Sequence, residues 1–483
     1  MNETQIPPPE KTFGTRFERD SLGEREVPGD VYYGIQTLRA LENFPISGQT
    51  PHPVFVWATA IVKRAAAEAN MAVGMLDPSI GRAIVQAAQE VIDGLWRDQF
   101  VVDVFQSGAG TSHNMNANEV LANRANEIMG GRKGEYRPVH PNDHVNMAQS
   151  TNDVFPTAMR LASLSLLVRL YPALDGLTEA LTSKASEFAG IVKSGRTHLE
   201  DAVPVTLGQE FQAYSSSVRK GAGRIRHAAQ TLLNLSIGAT AAGTGLNAHP
   251  LYQPKVVERL RDLTGYDLRA SEDLMEATQS MSDFAYVSSA LKAFALDLIR
   301  ITNDLRLLGS GPRTGLGEIN LPPVQPGSSI MPGKVNPVIA EVTDMVCFQV
   351  IGNDMTIAMA VQAGQFELNV MMPVIAFDLL QSIEILKNVT VVLTERCIRG
   401  ITANAERCRD LAERSLGVAA VLNPYIGYER AAAVAREAQA TGRTIREIVL
   451  EKGILNQEEL ERILDPARMA NPEASHINNP RQA

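Results

Sequence analysis

The chain has 483 residues, 45% of them hydrophobic, 20% charged and 5% aromatic, with a formal net charge of −9. This length exceeds a single small core and predicts two or three domains. An acidic balance with no run of Lys or Arg excludes a polyanionic partner such as nucleic acid, because no basic surplus is present to release counterions.

The first dozen residues are polar and Pro-rich and are expected to form a mobile tail, as is the ending NNPRQA. The N-terminus lacks the apolar core of a secretory leader, and no apolar window is long enough to cross a bilayer, so no membrane association and a soluble cytoplasmic protein are expected. Apolar residues recur at helical spacing from Val54 to Val73 and from Ile80 to Trp96, with Ser79 placed to cap the second run. Strand signals are nearly absent. Leu167, Leu170, Leu174, Leu177, Leu181 and Phe188 form one stripe, with Pro172 placed to bend it. A second stripe joins Phe211, Tyr214, Val218, Gly221, Ile225, Ala228, Leu232 and Leu235, and a third runs from Phe284 to Leu308 at alternating spacings of 3 and 4. A straight helix over that third stripe would be roughly 37 Å long. Two more long helices are expected at 337–360 and 371–396.

Stripes of 3.5 spacing on long helices predict near-parallel packing in a bundle. Three segments follow: an N-terminal helical domain at 1–150, a central long-helix bundle at 151–403 and a small C-terminal helical domain at 404–483. In the last, short helices are expected at 405–415, 425–439, 444–451 and 457–463. The bundle's apolar surface is more than one bundle needs, so part of it is expected to seal against other subunits. Cys347, Cys397 and Cys408 have no CxxC pairing and read as buried small hydrophobes in a reducing compartment.

Four polar loops stand apart: QSGAGTSHNMN at 106–116, HPNDHVNMAQSTND at 140–153, GRTHLEDAVP at 195–204 and GSSIMPGKVNP at 327–337. Rich in hydroxyls, amides and glycine, they present donors to an anion. Singly, each has a plain structural explanation. Gly108, Gly110 and Thr111 could be a helix entry, Thr151 and Asn152 a cap with Asp153 on the helix dipole, His198 a hydrogen-bonded structural residue and Lys334 a solvated charge. The last loop misses the spacing of a nucleotide P-loop, and GTGLNA at 243–248 lacks a preceding strand. His140 and His144 are four apart, but Pro141 argues against a regular helix between them, and no HExxH or cysteine cluster supports a metal.

Taken together, the loops carry more. GSSIMPGKVNP matches the GSSxMPxKxNP signature of the fumarase and aspartase superfamily, and the other three loops match that family's active-site segments in the same order. The chain resembles this family over nearly its whole length, from FERDSLGEREVPGDVYYGIQTLRALENF at 17–44 to NPYIGYERAA at 423–432. YYGIQTLRA at 32–40, GAGTSHNMN at 108–116, Thr151 and AGQFELNV at 363–370 resemble the aspartase branch. His198 and HPND at 140–143 are fumarase-like, and Met372 stands where the aspartases it resembles tend to have glutamate.

The resemblance implies an all-α, three-domain fold whose long helices assemble into a tetrameric helix core, with each site built from three chains. It implies a small dicarboxylate substrate; no cofactor is expected, and the motifs above point to no metal. The expected reaction is elimination of ammonium from L-aspartate to give fumarate; hydration of fumarate is the alternative, and a non-catalytic scaffold comes third. By resemblance, Ser328 is the general base, and Lys334, Asn336 and Thr197 grip the carboxylate that becomes a dianion. Thr111, Ser150, Thr151 and Ser329 hold the other carboxylate. Asn152 and His198 lie near the leaving group, with Glu341 orienting the histidine.

Overall fold

The computed structural model describes residues 14–469. Both expected tails lie outside them. The described chain opens with the antiparallel hairpin β1 (Thr15–Asp20) and β2 (Gly23–Pro28). Helices α1 (Ile35–Asn43), α2 (Pro53–Ala72), α3 (Pro78–Ile92) and α4 (Thr111–Ile128) follow. Next come α5 (Thr151–Glu187), the antiparallel hairpin β3 (Val192–Thr197) and β4 (Glu200–Thr206), and α6 (Leu207–Ala229). Two-residue β5 (Asn234–Leu235) pairs in parallel with β6 (Arg269–Ala270) on either side of α7 (Tyr252–Thr264).

After α8 (Leu274–Gln279) and α9 (Ser282–Leu308), β7 (Ile319–Asn320) precedes α10 (Val338–Gln362) and α11 (Met372–Arg396) and pairs with β8 (Thr402–Ala403). The described chain closes with α12 (Ala405–Arg414), α13 (Asn423–Ile426), α14 (Tyr428–Thr441), α15 (Ile445–Glu451), α16 (Gln457–Ile463) and α17 (Pro466–Met469).

The helical stripes hold. Phe284, Val287, Leu291, Phe294, Leu298, Ile301 and Leu305 of α9 are buried, as are Leu167, Leu170, Leu174, Leu177 and Leu181 of α5. The small residue in the α6 stripe has a definite purpose: a Cβ on Gly221 would stand 2.7 Å from the Phe294 ring, so only glycine lets that ring approach. All three cysteines are buried, and burial pushes each thiol up to about 12.

Three expectations need correction. Strands are present as two real hairpins, missed because TRFERD and VKSGRT are short and charged and show no apolar alternation. The cap of α3 is Asp77, whose carboxylate accepts the N–H groups of Ser79 (2.7 Å) and Ile80 (3.3 Å), while Pro78 opens the helix. The helix that carries the Leu167–Phe188 stripe, α5, starts at Thr151 rather than near Leu167, so it has 37 residues and its first turn is part of a polar loop.

The chain divides into two compact units, each discontinuous in sequence: Met1–Leu170, Arg224–Lys292 and Gln349–Ile385 in unit 1, and Tyr171–Gly223, Ala293–Phe348 and Leu386–Ala483 in unit 2. The discontinuity comes from α5, α6, α9, α10 and α11, each of which has residues in both. In unit 1, a core including Val56, Ile84, Val120, Leu121 and Val145 joins α2, α3 and α4. In unit 2, a separate core including Leu422, Val434, Ile448 and Leu460 joins the short C-terminal helices.

Candidate active site

In unit 1 the donors sit at two helix starts. A 3-10 turn at Gly108–Gly110 feeds α4, with Ala109 at φ 62° and Gly110 at φ 84°. A Cβ on Gly110 would meet the Phe155 ring at 2.2 Å, so the glycine is what allows the start of α4 to lie against the second turn of α5. The first free amides of α4 are already engaged: Ser112 N donates to Ser107 Oγ (3.1 Å) and His113 N to Gln106 Oε1 (2.8 Å). Thr111, the first helical residue, stays exposed. At α5, Ser150 rather than Thr151 has the capping role, its Oγ accepting the Asn152 N–H at 3.2 Å. Thr151 is buried in the first turn, and Asn152 donates through Nδ2 to Ala241 O at 2.7 Å. Thr111, Ser150, Thr151 and Asn152 thus occupy neighbouring helix N-termini, the positive ends of two helix dipoles, where an anion is favoured.

In unit 2 the signature loop is closed on itself. Gly327 N donates to Lys334 O at 2.8 Å and Asn336 Nδ2 to Gly327 O at 2.6 Å. A Cβ on Gly327 would stand 2.6 Å from Lys334 O, so no side chain fits there. Inside this loop Ser328 Oγ accepts the N–H groups of Ile330 (3.2 Å) and Met331 (2.9 Å). Two backbone dipoles therefore point at the hydroxyl oxygen, and they stabilise negative charge on it. Ser329 and Lys334 are exposed, and Glu341 is half-buried in the first turn of α10.

The hairpin β3–β4 carries Thr197 and His198. Thr197 pairs with Glu200, leaving His198 (φ 57°) and Leu199 (φ 64°) as a two-residue turn with both φ values positive. This is the twist-matched hairpin turn, normally filled by Asn or Gly, and here it displays an exposed imidazole at the tip. Among the described residues, His198 and Glu341 share no hydrogen bond within the chain.

Sequence reasoning missed the groups that fix these loops. Glu318, fully buried, takes Arg196 through two 3.0 Å bonds and lies 3.3 Å from the buried Lys193, which also bonds Glu210 at 2.7 Å. Arg196 directly precedes Thr197, so this cluster sets the base of the His198 hairpin. In unit 1, the wholly buried Lys63 donates to Asn146 Oδ1 (2.9 Å) and Gln149 Oε1 (3.0 Å), and burial pulls its pKa down to about 7. A lone lysine inside the Ala-rich run AIVKRAAAEAN was the available signal. His140 and His144 act locally: the His140 ring accepts the Asn142 and Asp143 N–H groups, and His144 Nδ1 accepts the His140 N–H. Among the described residues no group of three or more His, Cys, Asp or Glu side chains could hold a metal ion.

Comparison with known proteins bears on the family. The lyase family model matches residues 23–352 and the fumarase C C-terminus model residues 418–471. An aspartate ammonia-lyase from a Bacillus species is 54% identical over 457 residues, covering 95% of this chain and 98% of that protein. The aspartate ammonia-lyase of Escherichia coli K12 is 50% identical over 95% of this chain and 96% of its own length. Among solved structures, a fumarate lyase:delta crystallin from Brucella melitensis superposes with a TM-score of 0.92 at 50% identity, covering 95% of this chain and all of that one. A class II fumarase from Schistosoma mansoni gives 0.91 at 37% identity, with the same coverage. The chain therefore belongs to the lyase family, within the fumarase and aspartase superfamily whose signature loop surrounds Ser328.

Proposed function

We propose that the protein is an aspartate ammonia-lyase, converting L-aspartate to fumarate and ammonium by anti elimination. The observation that carries the mechanism is the pair of backbone N–H groups on Ser328 Oγ. A serine hydroxyl is a poor base at neutral pH and can take a proton from carbon only if its alkoxide is stabilised in place. Ser328 removes the proton from the carbon beside one carboxylate, and the electron pair moves into that carboxylate as an aci-carboxylate dianion. Lys334, Asn336 and Thr197 hold this dianion. Collapse of the dianion breaks the C–N bond on the adjacent carbon; the substrate's –NH3+ group takes the bonding pair and leaves as ammonia near Asn152 and His198, and a proton equivalent to the one taken by Ser328 converts it to ammonium. Thr111, Ser150, Thr151 and Ser329 hold the second carboxylate.

In this reading the enzyme is a cytoplasmic homotetramer with shared sites. Support comes from α10, which leaves Val342, Met345, Phe348, Met355 and Met359 exposed at near-heptad spacing, and from the exposed position of Lys334 and His198 in a single chain. No helix among the described residues is long and apolar enough to cross a membrane. The separate cores of the α2–α4 region and of the C-terminal helices support the division at 1–150, 151–403 and 404–483. Purified protein incubated with fumarate and ammonium should form aspartate, with no product when ammonium is omitted. Malate formed without ammonium would make it a fumarase instead.

A further inference from the structure

One buried carboxylate in unit 1 touches both sides of the proposed carboxylate-binding loop and has no part in the chemistry above. Asp153 has no exposed surface. Its Oδ1 accepts the Ser150 N–H at 2.9 Å, and its Oδ2 accepts the N–H groups of Gly238 (3.0 Å) and Thr240 (2.9 Å). Gly238 and Thr240 belong to the segment whose Ala241 carbonyl accepts the Asn152 amide. Thr240 holds φ 57°, a left-handed conformation that a β-branched residue adopts only when its surroundings impose it. Lys63, the nearby buried cation, bonds Asn146 and Gln149 earlier in the same loop.

We propose that Asp153 is a positioning residue that latches the Ser150–Asn152 loop to the Gly238–Ala241 segment, so that the hydroxyl and amide donors are set for a carboxylate before substrate arrives. This rests on the reading of Ser150, Thr151 and Asn152 as substrate-binding groups. The reason is the donor count: three backbone N–H groups converge on two carboxylate oxygens, and no neutral side chain of the same shape can accept all three. An asparagine would turn an NH2 toward at least one N–H and leave that amide buried without a partner. The latch ties two loops remote in sequence, so its loss frees both at once.

The test uses the whole assembled enzyme and succinate, a dicarboxylate with no leaving group, with binding measured by calorimetry. Asp153→Asn should weaken succinate binding at least tenfold and raise the KM for aspartate by a similar factor, while kcat at saturation falls less than threefold. A general loss of folded protein would lower kcat without moving KM. Thr151→Val serves as the control for the underlying reading. If it weakens succinate binding and Asp153→Asn does not, the latch is wrong and the binding loop stands; if neither variant weakens it, the binding-loop reading fails and the latch with it. Should Asp153→Asn not fold, amide exchange on the unmodified enzyme decides: saturating succinate should slow exchange at Gly238 and Thr240 as well as Ser150, tenfold or more. Protection confined to 150–152 would overturn the latch.

Discussion

His113 shows how far burial alone can set the chemistry of one side chain. It packs between Phe55 (4.8 Å between ring centres) and Phe155 (6.0 Å), and its Nε2 meets Thr59 Oγ1 at 2.9 Å. Burial, with the nearby Lys63 charge adding to it, lowers its pKa to about 3 from 6.5. Between those values the unfolded chain binds a proton that the folded chain refuses, so this residue makes stability fall as pH drops from 6.5 toward 3, by up to about 1.4 kcal/mol per pH unit. Glu119 and Asp153 work in the opposite sense: burial raises them to about 7 and about 6, and their contribution is lost as pH rises through those values. Comparing variant with parent isolates the histidine. Thr59 keeps its bond to Phe55 O, so His113→Leu leaves no polar orphan. Its melting temperature should gain on the parent's as pH is lowered from 6.5 to 4, and a constant difference across that range would count against a neutral buried His113. The sequence did not reveal this, nor the roles of Lys63 and Asp153. Asp153 reads singly as a charge on a helix dipole, and only packing between remote segments takes such groups out of water.

Among the elements, several helices were read to within a few residues from their apolar pattern, as at α2, α9, α10, α11 and α16. The stripe is a direct consequence of burying one face, so periodicity suffices. Where polar function overlies a helix start, the pattern is silent, and Thr151 was read as loop although it opens the 37-residue α5. The β3–β4 hairpin was equally hidden, because its stability comes from the buried Glu318–Arg196–Lys193 cluster rather than from apolar alternation. Its turn is a sensitive place. Leu199 is 76% exposed, so replacing it disturbs no core within the chain, but proline's φ near −65° cannot reproduce the observed 64°. Leu199→Pro should therefore displace His198 and Thr197 and lower kcat/KM by two orders of magnitude or more, with the helical circular dichroism signal retained. Parent-like kinetics would remove the hairpin tip from the site.

For the molecule as a whole, the family was legible because its loop motifs survive as contiguous strings. The compact units were not, since each long helix passes from one unit into the other along the chain. The exposed stripe of α10 carries the prediction at this scale. Met345 is 64% exposed and Met355 65%, more apolar surface than a lone helix normally leaves in water. On the proposed tetramer with shared sites, Met345→Glu should shift the assembly toward smaller species in light scattering, with activity falling in step. A fully active tetramer would contradict that arrangement. The interior placement of Cys347, Cys397 and Cys408 reaches further than packing. Thiols this hard to ionise offer electrophiles and oxidants little to attack. On the proposed mechanism, a catalyst that works through a hydroxyl, an amine and amides, with its sulfur locked away, keeps turning over while the thiol balance of its surroundings swings.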